Sequence, residues 1–203
     1  MIQIIGFMDS PFVRRVAVSA QFLGVPYENT ELSIFRDVEQ FRKISPLVKV
    51  PTLVIENGQI LVDSMLIIDY LESLAGRSLM PDDENEMFSA RQVIGTALVA
   101  GEKVAQIIYE TKLRPEAAQH EPWTTRIEQQ LTAATKLLEA AVGDGSSWIC
   151  GSQICQADIT TAIVWRFIQK KVPNRIQADD YPGLVKFSGR AESLAEFIAC
   201  PLS

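Results

Sequence analysis

The chain has 203 residues, 47% of them hydrophobic and 22% charged, a composition that excludes wholesale disorder at a length that buries a core without disulfide or metal staples. The 19 basic and 25 acidic residues leave a net charge of -6, which argues against a general nucleic-acid binder, because that role calls for a basic surplus. No apolar run approaches the roughly 18 residues that span a bilayer, and the first seven residues lack the basic and long apolar stretches of a secretion signal. The sparse, odd set Cys150, Cys155 and Cys200, with no C-x-x-C spacing, reads as reduced thiols of a cytoplasmic protein. A single histidine, His120, makes a His-rich metal site impossible and a Ser-His-Asp triad improbable; no metal is expected.

Residues 2–7 are short, apolar and followed by Asp9-Ser10-Pro11, which predicts a buried strand. Ser10-Pro11 predicts a helix start, since serine caps well and proline suits the first helical position. That helix runs to about Leu23 and stops at Gly24. A second strand falls within 25–32 and a short helix over 35–44. Residues 52–56 and 59–62 flank Asn57-Gly58, the pair preferred by a type I′ turn, and predict a hairpin. Asp63-Ser64 then opens a helix over 65–74, with Gly76 past its end. After Pro81-Asp82-Asp83 only helices follow: 84–113, 122–142, 157–171, and one or two within 182–197. The predicted architecture is an α/β domain over 1–77, a linker over 78–84 and an all-helical domain over 85–203.

Three short motifs carry chemistry, and each has a purely structural reading beside it. Ser10-Pro11-Phe12-Val13-Arg14-Arg15 is first of all a helix cap. A helix N-terminus also offers unpaired N–H donors and a positive dipole end, and the serine hydroxyl adds a donor, so an anion such as a thiolate suits it. Lys49-Val50-Pro51-Thr52 sets a proline directly before a strand. Most X–Pro bonds are trans; a cis bond would turn the Val50 backbone outward, where a peptide-like ligand can pair with it as an added strand. Asp63-Ser64 is a second helix cap, or a clamp in which Ser64 takes a carboxylate and Asp63 faces an ammonium group. Arg14 and Arg15 read as surface or dimer charges, the three cysteines as small buried apolar residues, His120 as a loop residue, and Trp165, Phe167 and Ile168 as core or domain interface.

Taken together these motifs resemble the glutathione S-transferase family, in particular its bacterial, serine-type members. The residues that carry the likeness are Ser10 to Arg15, Pro46, Lys49-Val50-Pro51-Thr52-Leu53 and Asp63-Ser64, with Trp148-Ile149-Cys150-Gly151 and Gln156-Ala157-Asp158-Ile159 in the second half. The resemblance implies a thioredoxin-like N-terminal domain, an all-α C-terminal domain and a homodimer. It implies that Ser10 donates a hydrogen bond to the glutathione sulfur, that Val50 pairs with the cysteinyl backbone beside a cis Pro51, that Asp63 and Ser64 hold the γ-glutamyl end, and that Lys49 meets the glycyl carboxylate. Glutathione is then a co-substrate, no cofactor is tightly bound, and neither nucleic acid nor membrane is a partner. The expected reaction transfers an alkyl or aryl group of a small apolar electrophile to the glutathione thiolate. A pocket between the domains, lined by the Met8–Asp9 loop, Phe12 and the helix around 99–111, is the expected place for that electrophile.

Two departures stand out. The family's loop commonly reads Asn-Pro-x-Gly before its Lys-Val-Pro, where this chain has Ser45-Pro46-Leu47-Val48, so the loop backbone is more restricted. The helical-domain motif commonly has Ser or Thr three residues before Asp158, where this chain has Cys155, a poorer cap, with Ser152 as a shifted alternative. The Val48 and Ser45 departures support a second reading, a non-catalytic binding or regulatory protein on the same fold, while the Cys155 departure concerns folding more than chemistry.

Overall fold

In the computed structural model, which describes residues 1–202, the opening apolar run forms β1 (Ile2–Ile5). Ser10 caps α1 (Pro11–Leu23), with Pro11 in its first turn. Gly24, at φ 71, ends the helix and donates its N–H to the carbonyls of Ala20 and Gln21. β2 (Tyr27–Thr30) follows, then α2 (Val38–Ile44). The helix starts three residues later than its sequence predicts. Ser33 Oγ accepts the N–H groups of Phe35 and Arg36 at 3.1 Å each, and Asp37 Oδ2 accepts that of Ser33 at 2.8 Å. These local bonds hold a turn that competes with helix.

β3 (Thr52–Val54) and β4 (Ile60–Val62) form the expected hairpin, but not through a type I′ turn. That turn needs positive φ at both central residues, and within the loop only Gly58 has it, at 82°. Asn57 instead accepts the Gln59 N–H on its side chain at 3.0 Å. α3 (Ser64–Ala75) closes the pattern, with Gly76 as its left-handed cap. The strand order is β2-β1-β3-β4, β1 running parallel to β2 and antiparallel to β3. This is the thioredoxin-like domain. Ile5, Leu32 and Phe41 form one core, with Ile34, Ile44, Val48, Val50 and Val54 against it.

α1 is buried almost all round, which overturns the reading of Arg14 and Arg15 as surface charges: they are 1% and 0% exposed. The cause lies at the far end of the chain. Residues 193–202, including α8 (Ala195–Ile198), belong to the same compact unit as Met1–Leu79. Arg14 Nε donates to the Cys200 carbonyl at 2.7 Å and Nη2 to that of Phe197 at 3.5 Å. The Phe197 ring is fully buried and meets Phe22 edge-on at 6.2 Å. Carbonyls at the end of a helix carry the negative end of its dipole and attract a cation. The helical domain expected over 85–203 therefore ends at Glu192.

The second unit, Met80–Glu192, is all-helical. α4 (Glu84–Ile108) is capped by Asp83 and runs into a single π-helical turn, Tyr109–Leu113. α5 (Glu121–Val142) and α6 (Gln156–Lys171) both pack on it, and α7 (Pro182–Glu192) packs on both of those. At the start of α6 the Asp158 carboxylate accepts the N–H groups of Cys155 and Ile149 at 2.7 Å each. Cys155 itself holds the capping position, buried beside Ala90, Ile94 and Ala157, while Ser152 stays exposed. Cys200 is buried as expected, but Cys150 is only partly covered. His120 sits at the head of α5, where its N–H donates to Glu110 Oε1 at 2.7 Å. Trp165, Phe167 and Ile168 are buried in α6. Among the described residues no helix is long and apolar enough to cross a membrane, and no cluster of three or more His, Cys, Asp or Glu side chains could hold a metal.

Candidate functional site

Strand register brings the three motifs to one end of the sheet. Ile5, the last residue of β1, pairs with Thr52, and Thr52 pairs with Val62. The residues just beyond these pairs are Gly6, Pro51 and Asp63, so they share that end. Gly6 fixes how closely the parts approach. A Cβ placed on it would lie 2.7 Å from Val13 Cγ2 and 2.9 Å from Val50 Cγ1. The first turn of α1 and the Val50 loop therefore close over a residue with no side chain. Gly6 has φ 134, a backbone that glycine alone adopts cheaply. It is a site residue that the sequence reading missed.

Ser10 has extended backbone, and its Oγ accepts the Val13 N–H at a long 3.4 Å. The hydroxyl hydrogen points to no other described partner, and the first-turn N–H groups add positive potential beside it. The Val50–Pro51 bond is cis. Thr52 Oγ1 donates to the Lys49 carbonyl at 2.6 Å, tying the loop to the first residue of β3. Val48, where the glycine is missing, takes φ 47. Ser45, at the end of α2, buries a hydroxyl with no hydrogen-bond partner among the described residues.

Asp63 is the other non-glycine residue with positive φ, at 78°. Its Oδ1 accepts the Met65 N–H at 2.9 Å and so caps α3. Lys49 Nζ lies 4.0 Å from Asp63 Oδ2, both side chains more than half exposed, a pair worth little in water. Ser64 is buried, and its Oγ accepts from Arg15 Nη1 at 2.9 Å. Burial lowers the Arg15 pKa to about 10, with the Asp63 carboxylate opposing the shift. Arg15 too was missed. The one available signal was two arginines set in the apolar run Val13 to Val18, which a charge count reads as surface. Of the expected electrophile contacts, Met8 is buried and Phe12 is partly buried on the first turn of α1.

A family profile described as the glutathione S-transferase N-terminal domain matches residues 4–79. Glutathione S-transferase U1 of Arabidopsis thaliana is 33% identical over 91 residues, 44% of this chain, and the match spans only 41% of that protein. The uncharacterized GST-like protein YibF of Escherichia coli K12 is 26% identical over 91% of this chain and 90% of its own length. Among solved structures, a glutathione S-transferase of Methylobacterium radiotolerans in complex with glutathione sulfonate superposes with a TM-score of 0.90 at 22% identity, covering 98% of this chain and 93% of that one. A glutathione transferase family member of Pseudomonas fluorescens Pf-5 with bound glutathione gives 0.85 at 24% identity, covering 98% of each chain. Residues 4–79 thus match the glutathione S-transferase N-terminal domain, and the chain as a whole shares the fold of these solved glutathione transferases.

Proposed function

We propose that the protein is a cytoplasmic, homodimeric glutathione transferase that joins the glutathione thiolate to a small apolar electrophile. The observation that carries this reading is the convergence at one sheet end of Ser10 at the start of α1, Val50 beside cis Pro51, and the Asp63-Ser64 cap of α3. In this reading Ser10 donates to the sulfur, Val50 pairs with the cysteinyl backbone, Asp63 and Ser64 hold the γ-glutamyl end, and Lys49 leaves Asp63 for the glycyl carboxylate. Met8 and Phe12 lie beside the electrophile.

A free thiol with pKa about 8.5 is roughly 3% thiolate at pH 7. Lowering the pKa by about two units takes roughly 2.7 kcal/mol of selective anion stabilisation, which a helix N-terminus and a hydroxyl donor can supply. The thiolate fraction rises about 25-fold, but nucleophilicity falls with a Brønsted slope near 0.4–0.5, which leaves a net gain of about threefold. Holding the electrophile against the sulfur must supply the larger share of the rate.

The test is a pH titration of the thiolate ultraviolet band of glutathione mixed with the protein. The band is expected well below the free-thiol pKa, and Ser10→Ala is expected to move it up by about one to two units while the fold stays intact. No bound thiolate near neutral pH, or an unshifted band in the variant, removes Ser10 from the mechanism. The strained Val48 and the unpaired Ser45 hydroxyl favour the second reading, a non-catalytic binding protein. That reading predicts glutathione binding too weak to detect and capture of a specific partner.

A further inference from the structure

Arg15 is not used by the chemistry proposed above, yet its placement is unusual. A guanidinium is rarely fully buried, and buried charges need strong compensation. Arg15 has zero exposure and spends two of its nitrogens on α3: Nη1 on Ser64 Oγ at 2.9 Å and Nη2 against Met65 Sδ at 3.3 Å. With a pKa near 10 it still carries its charge at neutral pH. A fixed cation is therefore stored one hydroxyl behind the first turn of α3, an end that already favours an anion. A hydroxyl that accepts from a cation becomes a better donor in its turn. With one lone pair held by Arg15, the Ser64 hydroxyl keeps its own hydrogen to donate. Arg14, the next residue back, points its guanidinium at the Phe197 and Cys200 carbonyls instead, so the two neighbours on α1 serve different ends of the unit.

We propose that Arg15 is a positioning residue that makes this subsite select a carboxylate: acting through Ser64, it orients the serine hydroxyl and supplies positive charge for the α-carboxylate of a γ-glutamyl ligand. The inference rests on the glutathione reading above. The experiment is calorimetric titration of the full chain with two probes, glutathione and 4-aminobutanoyl-cysteinyl-glycine, the same peptide without the α-carboxylate. Arg15→Met is expected to weaken glutathione by about tenfold to hundredfold and to change the affinity for the truncated peptide by less than about threefold. Arg15→Lys, which keeps the charge but not the fork, falls between wild type and Arg15→Met for glutathione. In a Ser64→Ala background, Arg15→Met adds less than about threefold, because the two residues act as one unit.

A thermal melt of each variant checks that the fold survives the loss of the buried cation. If Arg15→Met does not fold, Arg15→Lys decides: selective loss for glutathione supports the proposal, and equal loss or none overturns it. Equal weakening of both probes by Arg15→Met means a merely structural role and overturns it, as does unchanged glutathione affinity. Wild-type protein that binds both probes equally also overturns it while leaving the glutathione reading standing. Wild-type protein that binds neither overturns that reading, and the inference falls with it.

Discussion

Val48 shows what one missing glycine does to a backbone. A left-handed conformation costs an ordinary residue about 1–2 kcal/mol, and Val48 takes it at φ 47 while its side chain packs against the Ile5, Leu32 and Phe41 cluster. Val48→Ala discards the packing and keeps the strain. Val48→Gly discards the packing but relieves the strain, against a chain-entropy cost of about 0.5–1 kcal/mol. The glycine variant is therefore expected to be more stable than the alanine variant by about 0.5–1 kcal/mol in urea denaturation, the reverse of the usual order. An alanine variant equal to or more stable than the glycine variant would show that φ carries no strain here. At this scale the sequence was legible wherever the chemistry is local. Ser10, Asp63 and the stops at Gly24 and Gly76 follow from capping, which needs only neighbours in the chain. Arg15 and Gly6 depend on residues some fifty positions away, and no local rule exposes such a contact.

Elements meet at the site through Gly6, and two substitutions separate its roles. Gly6→Ala must fit a Cβ 2.7 Å from Val13 and 2.9 Å from Val50, at φ 134, so strain and overpacking add to about 3 kcal/mol. Gly24→Ala meets no neighbour at φ 71 and costs about 1 kcal/mol. Chemical denaturation should rank them in that order, and calorimetry should show weakened glutathione binding for Gly6→Ala alone. Equal binding by the two variants would disconnect Gly6 from the site. The elements themselves were readable from their periodicity, since hydrophobic spacing and turn residues agree along α1, α3 and α5. What failed was turn type and onset. Asn57-Gly58 satisfies more than one hairpin loop, and the Ser33–Asp37 bonds that delay α2 are side-chain bonds with no periodic signature.

The whole molecule is expected to pair. Met65, Leu66 and Leu74 leave apolar surface exposed on α3, which fits the proposed homodimer, and light scattering should return twice the 22.6 kDa of one chain. A mass of one chain at micromolar concentration would remove the homodimer from the reading. The composition shift near residues 77–84 was visible in the sequence and lies beside the boundary at Leu79. The assignment of the chain's last residues to the first unit was not, because the Phe197 ring and two backbone carbonyls carry no address toward α1. That arrangement sets a schedule on the ribosome. At roughly 5–20 residues per second, making Met80–Glu192 takes on the order of 10 s. Through that interval the nascent first domain has its sheet and helices but no Phe197 against Phe22, and Arg14 has no carbonyls to meet. Met1–Leu79 is thus made well before the residues that complete its unit, with the Phe22 side of α1 open to chaperones in between.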